Sequence, residues 1–168
     1  MTSPDTSPAV VTYREQYRAD FERLNRDWIE AYFKLEEPDL EVFRDPGGAI
    51  VAPGGQVFFV VEGGEVQGTC AVLRHSADVY EIAKMAVEPA VRGRGFGDLL
   101  MEAAIGFARD AGAQRVMLVS NTALAPALRL YEKHGFVRVP LLDQHGYQRA
   151  NIQMERRLGE PAGKTGRG

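Results

Sequence analysis

Apolar side chains recur along this chain with two different spacings, which predict two kinds of secondary structure. A spacing of three or four residues predicts helices, whereas alternation or a short apolar run predicts strands. The helical spacing is clearest in Phe21, Leu24, Trp28, Tyr32 and Leu35. The same spacing predicts helices over 38–44, 98–111 and 125–134. Strands are predicted over 10–14, 57–62, 66–74, 79–87, 115–120 and 149–157, with another that starts at residue 136.

Turn residues separate these elements and fix their order. Gly63-Gly64 joins two predicted strands and is typical of a tight β-hairpin. Asp45-Pro46-Gly47-Gly48 closes the second helix. The order is β-α-α-β-β-β-α-β-α-β-β. It predicts an α/β (α+β) fold, with a mixed central sheet of about seven strands and four helices on its two faces.

Length and composition indicate one domain with two tails. A chain of 168 residues can bury a sizeable core, and its 45% hydrophobic and 26% charged residues are ordinary for a soluble globular protein. Residues 1–9 are rich in Ser, Thr and Pro, and residues 159–168 are rich in Gly and basic residues. We therefore expect disordered tails over 1–9 and 159–168 around a domain over 10–158.

Charge and cysteine content exclude several classes of protein. A net charge of −3 argues against a nucleic-acid binder, although it leaves room for a local basic cleft. Cys70 is the only cysteine, so no internal disulfide forms, and its apolar neighbours predict a buried, inert thiol. No signal peptide is recognisable, and no apolar run approaches the ~20 residues of a membrane span. These features predict a cytoplasmic protein with no membrane contact.

The segment 85–100 gives the most direct indication of function. A predicted strand leads into a loop with glycines at 93, 95 and 97 and arginines at 92 and 94, and a helix begins at once. Without a Cβ, the glycines let the backbone turn tightly and let a ligand approach its N–H groups. Free N–H groups at a helix N-terminus, beside two guanidinium groups, are typical of a phosphate or pyrophosphate site.

The glycine spacing excludes two familiar phosphate loops. It is neither the Gly-x-Gly-x-x-Gly of a Rossmann loop nor the Gly-Lys-Ser/Thr of a Walker loop. A plain glycine-rich turn and a nucleic-acid contact through Arg92 and Arg94 are the alternatives, and the negative net charge disfavours the second. His75, His134 and His145 show no metal-ligand spacing, so no metal site is predicted.

A second motif lies downstream, where Leu130-Tyr131-Glu132-Lys133-His134-Gly135-Phe136 ends a predicted helix and enters a strand. Together, Arg92-x-x-Gly95-x-Gly97 and this segment resemble the two signature motifs of the GNAT superfamily of acyl-CoA-dependent N-acetyltransferases. The resemblance covers about 10–158 and implies the same mixed-sheet fold. It also implies that acetyl-CoA is the cosubstrate.

The resemblance assigns residues to the acetyl donor. In the family, strand 4 splays from strand 5 and the pantetheine arm lies between them like an extra strand. A backbone N–H near Met85 or Ala86 would then stabilise the oxyanion. The residues assigned to CoA are Met85, Ala86 and Val87 on the strand and Arg92, Gly93, Arg94, Gly95, Phe96 and Gly97 in the loop.

Two residues match the family's acid and base. Tyr131 occupies the place of the tyrosine that protonates the leaving thiolate, although a tyrosine on an apolar helix face is also an ordinary core residue. Glu81 lies six residues before Val87, the offset of the general-base glutamate in the histone-acetylating branch. A solvated carboxylate is the alternative for Glu81. Lys84, an isolated polar residue in the strand, either reaches the sheet edge or pairs with an acidic substrate or partner.

Alternation along the predicted strand 79–87 assigns its side chains to two faces. One face would present Glu81, Ala83, Met85 and Val87, and the other Ile82, Lys84 and Ala86.

Asn121 departs from the family pattern, since many members have asparagine seven residues before the tyrosine and here the interval is ten. Asn121 is therefore predicted either to contact the cofactor or to cap the turn before the fourth helix with Thr122.

The sequence gives less information about the acceptor site than about the donor site. The resemblance places Trp28, Tyr32, Phe33, Tyr147, Arg149 and Asn151 in the acceptor cleft. Trp28 and Tyr32 are one turn apart, as in simple core packing. Arg149 and Asn151 would alternate on one strand face and could hold a substrate carboxylate, or form a plain surface pair.

The leading hypothesis is an acetyl-CoA-dependent N-acetyltransferase that acts by direct attack on a primary amine. The short chain favours a small-molecule or amino-acid-like acceptor. The alternatives are acetylation of a protein lysine or N-terminus and a non-catalytic CoA-binding regulatory module. The sequence leaves open the identity of the acceptor, the acyl length and whether the chain forms a homodimer.

Overall fold

The computed structural model describes residues 7–142 and 146–159. One seven-stranded sheet lies at its centre, with strand order β1-β2-β3-β4-β5-β7-β6. The strands are β1 (Ala9–Thr12), β2 (Gln56–Glu62), β3 (Glu65–Arg74), β4 (Val79–Val87), β5 (Arg115–Ser120), β6 (Val137–Val139) and β7 (Ile152–Arg157). The predicted mixed α/β fold is confirmed.

The four longer helices are α1 (Arg18–Tyr32), α2 (Glu37–Arg44), α3 (Phe96–Asp110) and α4 (Ala125–Lys133). Short 3-10 turns occupy Glu15–Tyr17 and Pro89–Val91. The turn predicted after α2 is partly helical, because Gly47–Val51 forms a π-helical turn whose Ile50 is buried. In α3 the helix starts at Phe96, two residues before the predicted start, since Gly95 adopts a left-handed conformation and ends the loop.

One pair of neighbouring strands, β4 and β5, is parallel, and the other neighbouring pairs among the described strands are antiparallel. β1 to β4 pair antiparallel. Hairpins join β2 to β3 and β3 to β4, with positive φ at Gly63 and Gly64 in the predicted β2–β3 turn, whereas α1 and α2 lie between β1 and β2. β4 and β5 are parallel and are joined through α3, whereas β5 and β7 are antiparallel. A parallel pair needs such a crossover, which places α3 against one face of the sheet.

Alternation along β2 divides the core into two layers. Phe58 and Val60 belong to the cluster that packs under α3 and α4, whereas Val57 and Phe59 belong to the cluster under α1 and α2. Each helix therefore buries one apolar stripe against the sheet. Cys70 is fully buried as a free thiol, and burial raises its pKa to about 12, which fits the predicted inert role.

Several predicted boundaries are corrected. The first strand begins at Ala9, inside the predicted tail, and the last begins at Ile152, because residues 149–151 form a turn instead of a strand. The remaining tail residues, 1–6 and 160–168, and His145 lie outside the described residues. Within the described ranges, no helix is long and apolar enough to cross a membrane.

Candidate active site

A cavity of about 600 Å³ opens where β4 and β5 separate. Its size suits a small-molecule or cofactor site. Sixteen of the eighteen residues predicted for the donor and acceptor sites line it: Trp28, Tyr32, Phe33, Glu81, Met85, Ala86, Val87, Arg92, Gly93, Gly95, Phe96, Gly97, Asn121, Tyr131, Tyr147 and Arg149. The other two, Arg94 and Asn151, are not among the lining residues.

The opening between β4 and β5 exposes a strand edge. The two strands pair only through Val79–Glu81 and residues 115–117, so within residues 7–142 and 146–159 no strand pairs with β4 on that side over residues 82–87. Backbone N–H and C=O groups along such an edge can bond an extended, amide-bearing ligand as if it were a further strand. Met85, Ala86 and Val87 lie along this edge and line the cavity.

Two glycines of the loop adopt a left-handed conformation, as the predicted tight turn needs. Gly93 and Gly95 have φ of 85° and 86°, a left-handed conformation that disfavours any side chain. Among the described residues, no protein group accepts a hydrogen bond from the backbone N–H groups of residues 93–98. Gly97 serves packing, because a Cβ there would lie 3.2 Å from the Leu130 side chain. The loop therefore offers several free donors at the N-terminus of α3.

The two arginines of the loop have different positions. Arg92 is exposed, lines the cavity and has no ion-pair partner in the described chain. Arg94 forms a two-pronged hydrogen bond with the Glu62 carboxylate, with 2.9 Å between Nη1 and Oε1, and stacks on the Phe96 ring. Only Arg92 is placed to reach a phosphate in the cavity. The predicted CoA contact of Arg94 has no support from this geometry.

Tyr131 is buried in the wall of the cavity, with 9% of its surface exposed. Burial, and to a lesser degree the neighbouring Cys70, raises the pKa of its phenol above the usual range. The hydroxyl is therefore protonated at neutral pH and can act as a proton donor. Within the described part of the chain, no protein group forms a hydrogen bond with it.

Glu81 is also buried in the cavity wall and has a partner that the sequence did not reveal. Its Oε1 lies 2.6 Å from Nε2 of His75, whose side chain is 39% exposed. The hydrogen bond with Glu81 raises the pKa of His75, although burial opposes the shift. The pair connects a cavity carboxylate to a titratable ring nearer the solvent.

A β-bulge interrupts β4 beside Glu81. Thr69 of β3 pairs with Ala86, whereas Ala71 pairs with Ala83, so β4 holds one extra residue. Lys84 lies in this bulge with φ of 55°, an uncommon conformation for a residue other than glycine. Such a conformation costs about 1–3 kcal/mol and persists only where its surroundings hold it.

The bulge reverses the alternation predicted for β4. Ile82 and Met85 both pack with the α3 layer, whereas Ala86 packs with the α1 layer. The prediction of one face for Glu81, Ala83, Met85 and Val87 is therefore wrong. Regular alternation fails because the extra residue shifts every later side chain by one position.

We call the part of the cavity lined by Trp28, Tyr32, Lys84, Tyr147 and Arg149 the acceptor end, after the role predicted from the sequence for most of these residues, and it contains a buried ionic cluster. We call Asp39, Lys84, Tyr147 and Arg149 the Asp39 cluster. Lys84 Nζ lies 2.7 Å from Oδ1 of Asp39, and the Arg149 guanidinium contacts both Asp39 oxygens, at 2.7 and 2.8 Å. Lys84 Nζ also donates to the Tyr147 hydroxyl at 2.9 Å. Burial alone would raise the pKa of Asp39, but the hydrogen bond from Arg149 and the charge of Lys84 lower it to about 2.

Asp39 is the site residue that the sequence did not indicate. It also accepts a hydrogen bond from the Glu36 N–H at 2.9 Å and completes the capping box of α2. An acidic residue at that position is ordinary for a helix start. The local sequence looks the same whether such an aspartate only caps the helix or also forms ion pairs with distant residues such as Lys84 and Arg149.

The two asparagines stabilise loops. Asn121 Oδ1 accepts from the Ala123 N–H at 2.8 Å, and its Nδ2 donates to the Arg149 carbonyl at 2.7 Å. The turn-capping alternative for Asn121 is therefore observed, and contact with CoA stays a prediction. Asn151 contacts Thr122 through both ends of its amide and lies away from the cavity. The predicted alternation of Arg149 and Asn151 on a strand is wrong, since both precede β7.

The aromatic residues of α1 form the rim of the acceptor end. Trp28 donates from Nε1 to Asn25 and meets Phe33 edge to face. Tyr32 is 58% exposed yet lines the cavity. The core-packing interpretation is wrong for Tyr32, because its helix position faces the cavity mouth.

A comparison with models of protein families gives one match that covers most of the chain. Residues 14–136 match the model of the Acetyltransferase (GNAT) family. The match includes β4, the glycine loop and Tyr131, and it ends before Tyr147 and Arg149. The cavity wall formed by β4, the glycine loop and Tyr131 thus lies within the family match, whereas Tyr147 and Arg149 lie beyond it.

Three similar proteins cover different shares of the chain. Mycothiol acetyltransferase of Corynebacterium glutamicum is 38% identical over 80 residues, which are 48% of this chain and 27% of that protein. Streptothricin acetyltransferase of Streptomyces lavendulae is 34% identical over 60% of this chain and 58% of its own length. The uncharacterized N-acetyltransferase YjgM of Escherichia coli is 31% identical over 90% of this chain and 89% of its own length. The chain therefore spans about a quarter of the mycothiol enzyme and most of YjgM.

Solved structures share the fold. A GNAT-family acetyltransferase from Staphylococcus aureus Mu50 superposes with a TM-score of 0.83 at 16% identity, over 91% of this chain and all of that one. The Salmonella typhimurium protein yncA, solved with its cofactor acetyl-CoA, gives a TM-score of 0.70 at 18% identity, over 93% of this chain and 96% of that one.

Proposed function

The chain belongs to the acetyltransferase (GNAT) family, and on that premise we propose that it transfers an acetyl group from acetyl-CoA to the primary amine of a small acceptor. The observation that carries the proposal is the cavity itself. Its walls combine a strand edge without a partner, free N–H groups at the start of α3 and a protonated, buried Tyr131. Those are the parts that a thioester, a pyrophosphate and a leaving thiolate need.

The donor half of the cavity, residues 85–87, 92–93, 95–97 and Tyr131, fits acetyl-CoA. The N–H groups of the loop and the Arg92 guanidinium supply donors for the pyrophosphate oxygens. The edge of β4 supplies backbone groups for the amides of the pantetheine arm. In the yncA structure, a protein of the same fold holds acetyl-CoA.

The proposed reaction is direct attack without a covalent enzyme intermediate. Glu81 accepts a proton from the acceptor ammonium, and the neutral amine then forms a C–N bond with the acetyl carbonyl carbon. A backbone N–H near Met85 or Ala86 stabilises the oxygen that becomes negative. The C–S bond breaks, and Tyr131 donates its phenolic proton to the thiolate, which leaves as CoA. The nitrogen of the adduct loses its second proton, so that a neutral amide forms, and a proton restores the Tyr131 phenol. The proton that Glu81 accepted passes to the solvent, so one proton is released in each turnover.

The proposed acceptor class is a small amine or an amino-acid-like molecule. Two relatives are named mycothiol acetyltransferase and streptothricin acetyltransferase, each after a small molecule, which supports this class. Aromatic side chains of Trp28, Tyr32 and Phe33 enclose the acceptor end. A cytoplasmic location, where acetyl-CoA is made and used, is part of the same proposal.

Thiol release from acetyl-CoA, measured with a panel of free amines, peptides and lysine-bearing proteins, tests the proposal. Turnover with free amines supports it. Turnover with only a peptide N-terminus or a protein lysine would contradict the acceptor class. Binding of CoA without turnover on any acceptor would identify a regulatory CoA-binding module instead.

A further inference from the structure

The Asp39 cluster places its charges in two layers. Lys84, Tyr147 and Arg149 line the cavity, whereas Asp39 does not and is fully buried. Glu36, which lies 3.4 Å from Arg149 Nη1, also stands outside the lining. The two cations and two carboxylates cancel in formal charge, but the cations are nearer the cavity. At this cluster, a ligand in the cavity therefore meets the two cations before the two carboxylates.

Some N–H groups of Lys84 and Arg149 have no hydrogen-bond acceptor in the described chain. The end of the Arg149 guanidinium, Nη1 and Nη2, holds the Asp39 carboxylate. Its side edge, formed by Nε–H and the second Nη2–H, contacts no acceptor in the described chain. Of the three Lys84 hydrogens, two go to Asp39 and Tyr147. A planar fork and one ammonium hydrogen thus remain for a ligand.

Stability alone gives no reason for this arrangement. A buried ion pair is often no more stabilising than apolar side chains of similar volume. Lys84 also adopts a left-handed conformation in a bulge, which a strand without function would avoid. Its side chain is 5% exposed and is held by groups from α2 and from the turn before β7. Such a fixed cationic group is suited to recognition.

We propose that Lys84 and Arg149 bind an anionic oxygen group of the acceptor, a carboxylate or a phosphate. This inference rests on the proposed acetyltransferase function and names its substrate class: a small molecule with a primary amine at one end and an anion at the other. The side edge of Arg149 forms the bidentate contact, and Lys84 adds a point charge. Glu81 and Lys84 are three residues apart on a strand, which spans at most about 10 Å. An acceptor that places its amine at Glu81 and its anion at Lys84 therefore has only a few atoms between these two groups.

Matched pairs of acceptors test the proposal in the unmodified protein. The relevant quantity is kcat/KM for 4-aminobutanoate against butylamine, and for aminoethyl phosphate against ethanolamine. We expect a preference of about tenfold or more for at least one anionic member. A preference in the first pair identifies a carboxylate site, and one in the second identifies a phosphate site. Equal turnover of anionic and neutral members would overturn the inference and leave the acetyltransferase proposal standing, whereas no turnover of any amine would count against both.

Substitutions locate the preference. Lys84→Met should reduce the anionic preference at least fivefold through KM, and Lys84→Arg should retain part of it. Lys34→Met is the matched control, because Lys34 is exposed and outside the cavity lining. It removes the same formal charge and should leave the preference unchanged. An equal loss in Lys34→Met would show a long-range charge effect and contradict a local site.

A measurement on the parent alone covers the case in which Lys84→Met does not fold. Butanoate, which has the anion but no amine, should inhibit turnover competitively against the acceptor and not against acetyl-CoA. Butanol is the neutral control and should inhibit at least tenfold less. Absence of inhibition by both butanoate and inorganic phosphate would overturn the proposal.

Discussion

The donor half of the cavity and the Asp39 cluster are built in different ways. The donor half presents mostly backbone groups, from residues 85–87, 92–93 and 95–97, that lie close together in the sequence. The Asp39 cluster presents side chains, and its contacts join residues 45, 63 and 110 positions apart. A ligand common to a whole family can be held by backbone geometry, whereas an acceptor specific to one protein needs side chains that vary.

The largest effect should follow from removal of the carboxylate that organises the acceptor end. Asp39→Ala leaves Lys84 and Arg149 buried without their shared partner, which should lower the free energy of unfolding by about 3–5 kcal/mol. Glu37→Ala is the matched control on the same helix, because it breaks only the exposed pair with Arg44. That change should cost less than about 1 kcal/mol. Urea unfolding of both variants measures the difference, and equal losses would show that the cluster is no more than a surface network.

In the donor half, the largest effect should come from the proposed acid. Tyr131→Phe keeps the buried ring but removes the proton donor, so kcat should fall about 100-fold, equivalent to about 2.7 kcal/mol. The affinity for CoA should stay within a factor of two. Steady-state kinetics and a CoA titration separate the two quantities. A variant that matches the parent across pH would show that Tyr131 only packs in the core.

The acceptor end should also respond to acid. The pKa of Asp39 is lowered to about 2 in the folded protein, below its ordinary value of 3.8. Its ionised form therefore stabilises the fold above about pH 4, and the stabilisation of about 2 kcal/mol is lost as the pH falls from about 4 to about 2. An NMR titration of the Asp39 carboxyl carbon measures the midpoint directly. A midpoint near 4 would mean that Lys84 and Arg149 do not hold the carboxylate in solution.

The two arginines of the glycine loop provide a contrast inside the donor half. Arg92→Ala should weaken CoA binding about tenfold or more, since a charge-assisted hydrogen bond to phosphate is lost. Arg94→Ala removes the same charge from a residue that faces Glu62, and it should change CoA affinity less than twofold. Calorimetric titration of CoA into both variants measures the ratio. A larger loss in Arg94→Ala would show that the loop rearranges around the ligand.

The smallest effect concerns backbone conformation. Gly95→Ala places a side chain at φ of 86° and should cost about 1–2 kcal/mol of stability, although the space around it is open. Gly106→Ala is the matched control in α3, also in open space but in helical conformation, and it should stabilise by about 0.5–1 kcal/mol. Thermal unfolding measures the change in stability for each variant. A loss in Gly95→Ala together with a gain in Gly106→Ala would confirm that the loop depends on its left-handed glycines, whereas changes of the same sign would contradict that dependence.

The same contrast explains how much could be predicted from the sequence. The order of elements, β4 and β5, the glycine loop and Tyr131 were predictable because each depends on local pattern. The bulge at Lys84 was not, since nothing in an apolar run marks an extra residue. Asp39 could not be distinguished from an ordinary helix cap, and His75 could not be paired with Glu81. Those contacts form only when distant segments fold together.

A titration of CoA into the parent and into Lys84→Met tests most directly whether the two halves are independent. The parent should bind one CoA per chain with saturable heat, and Lys84→Met should bind with a dissociation constant within a factor of two of the parent. Absence of CoA binding by the parent would contradict the donor site. A tenfold loss in Lys84→Met would contradict the separation of donor and acceptor halves.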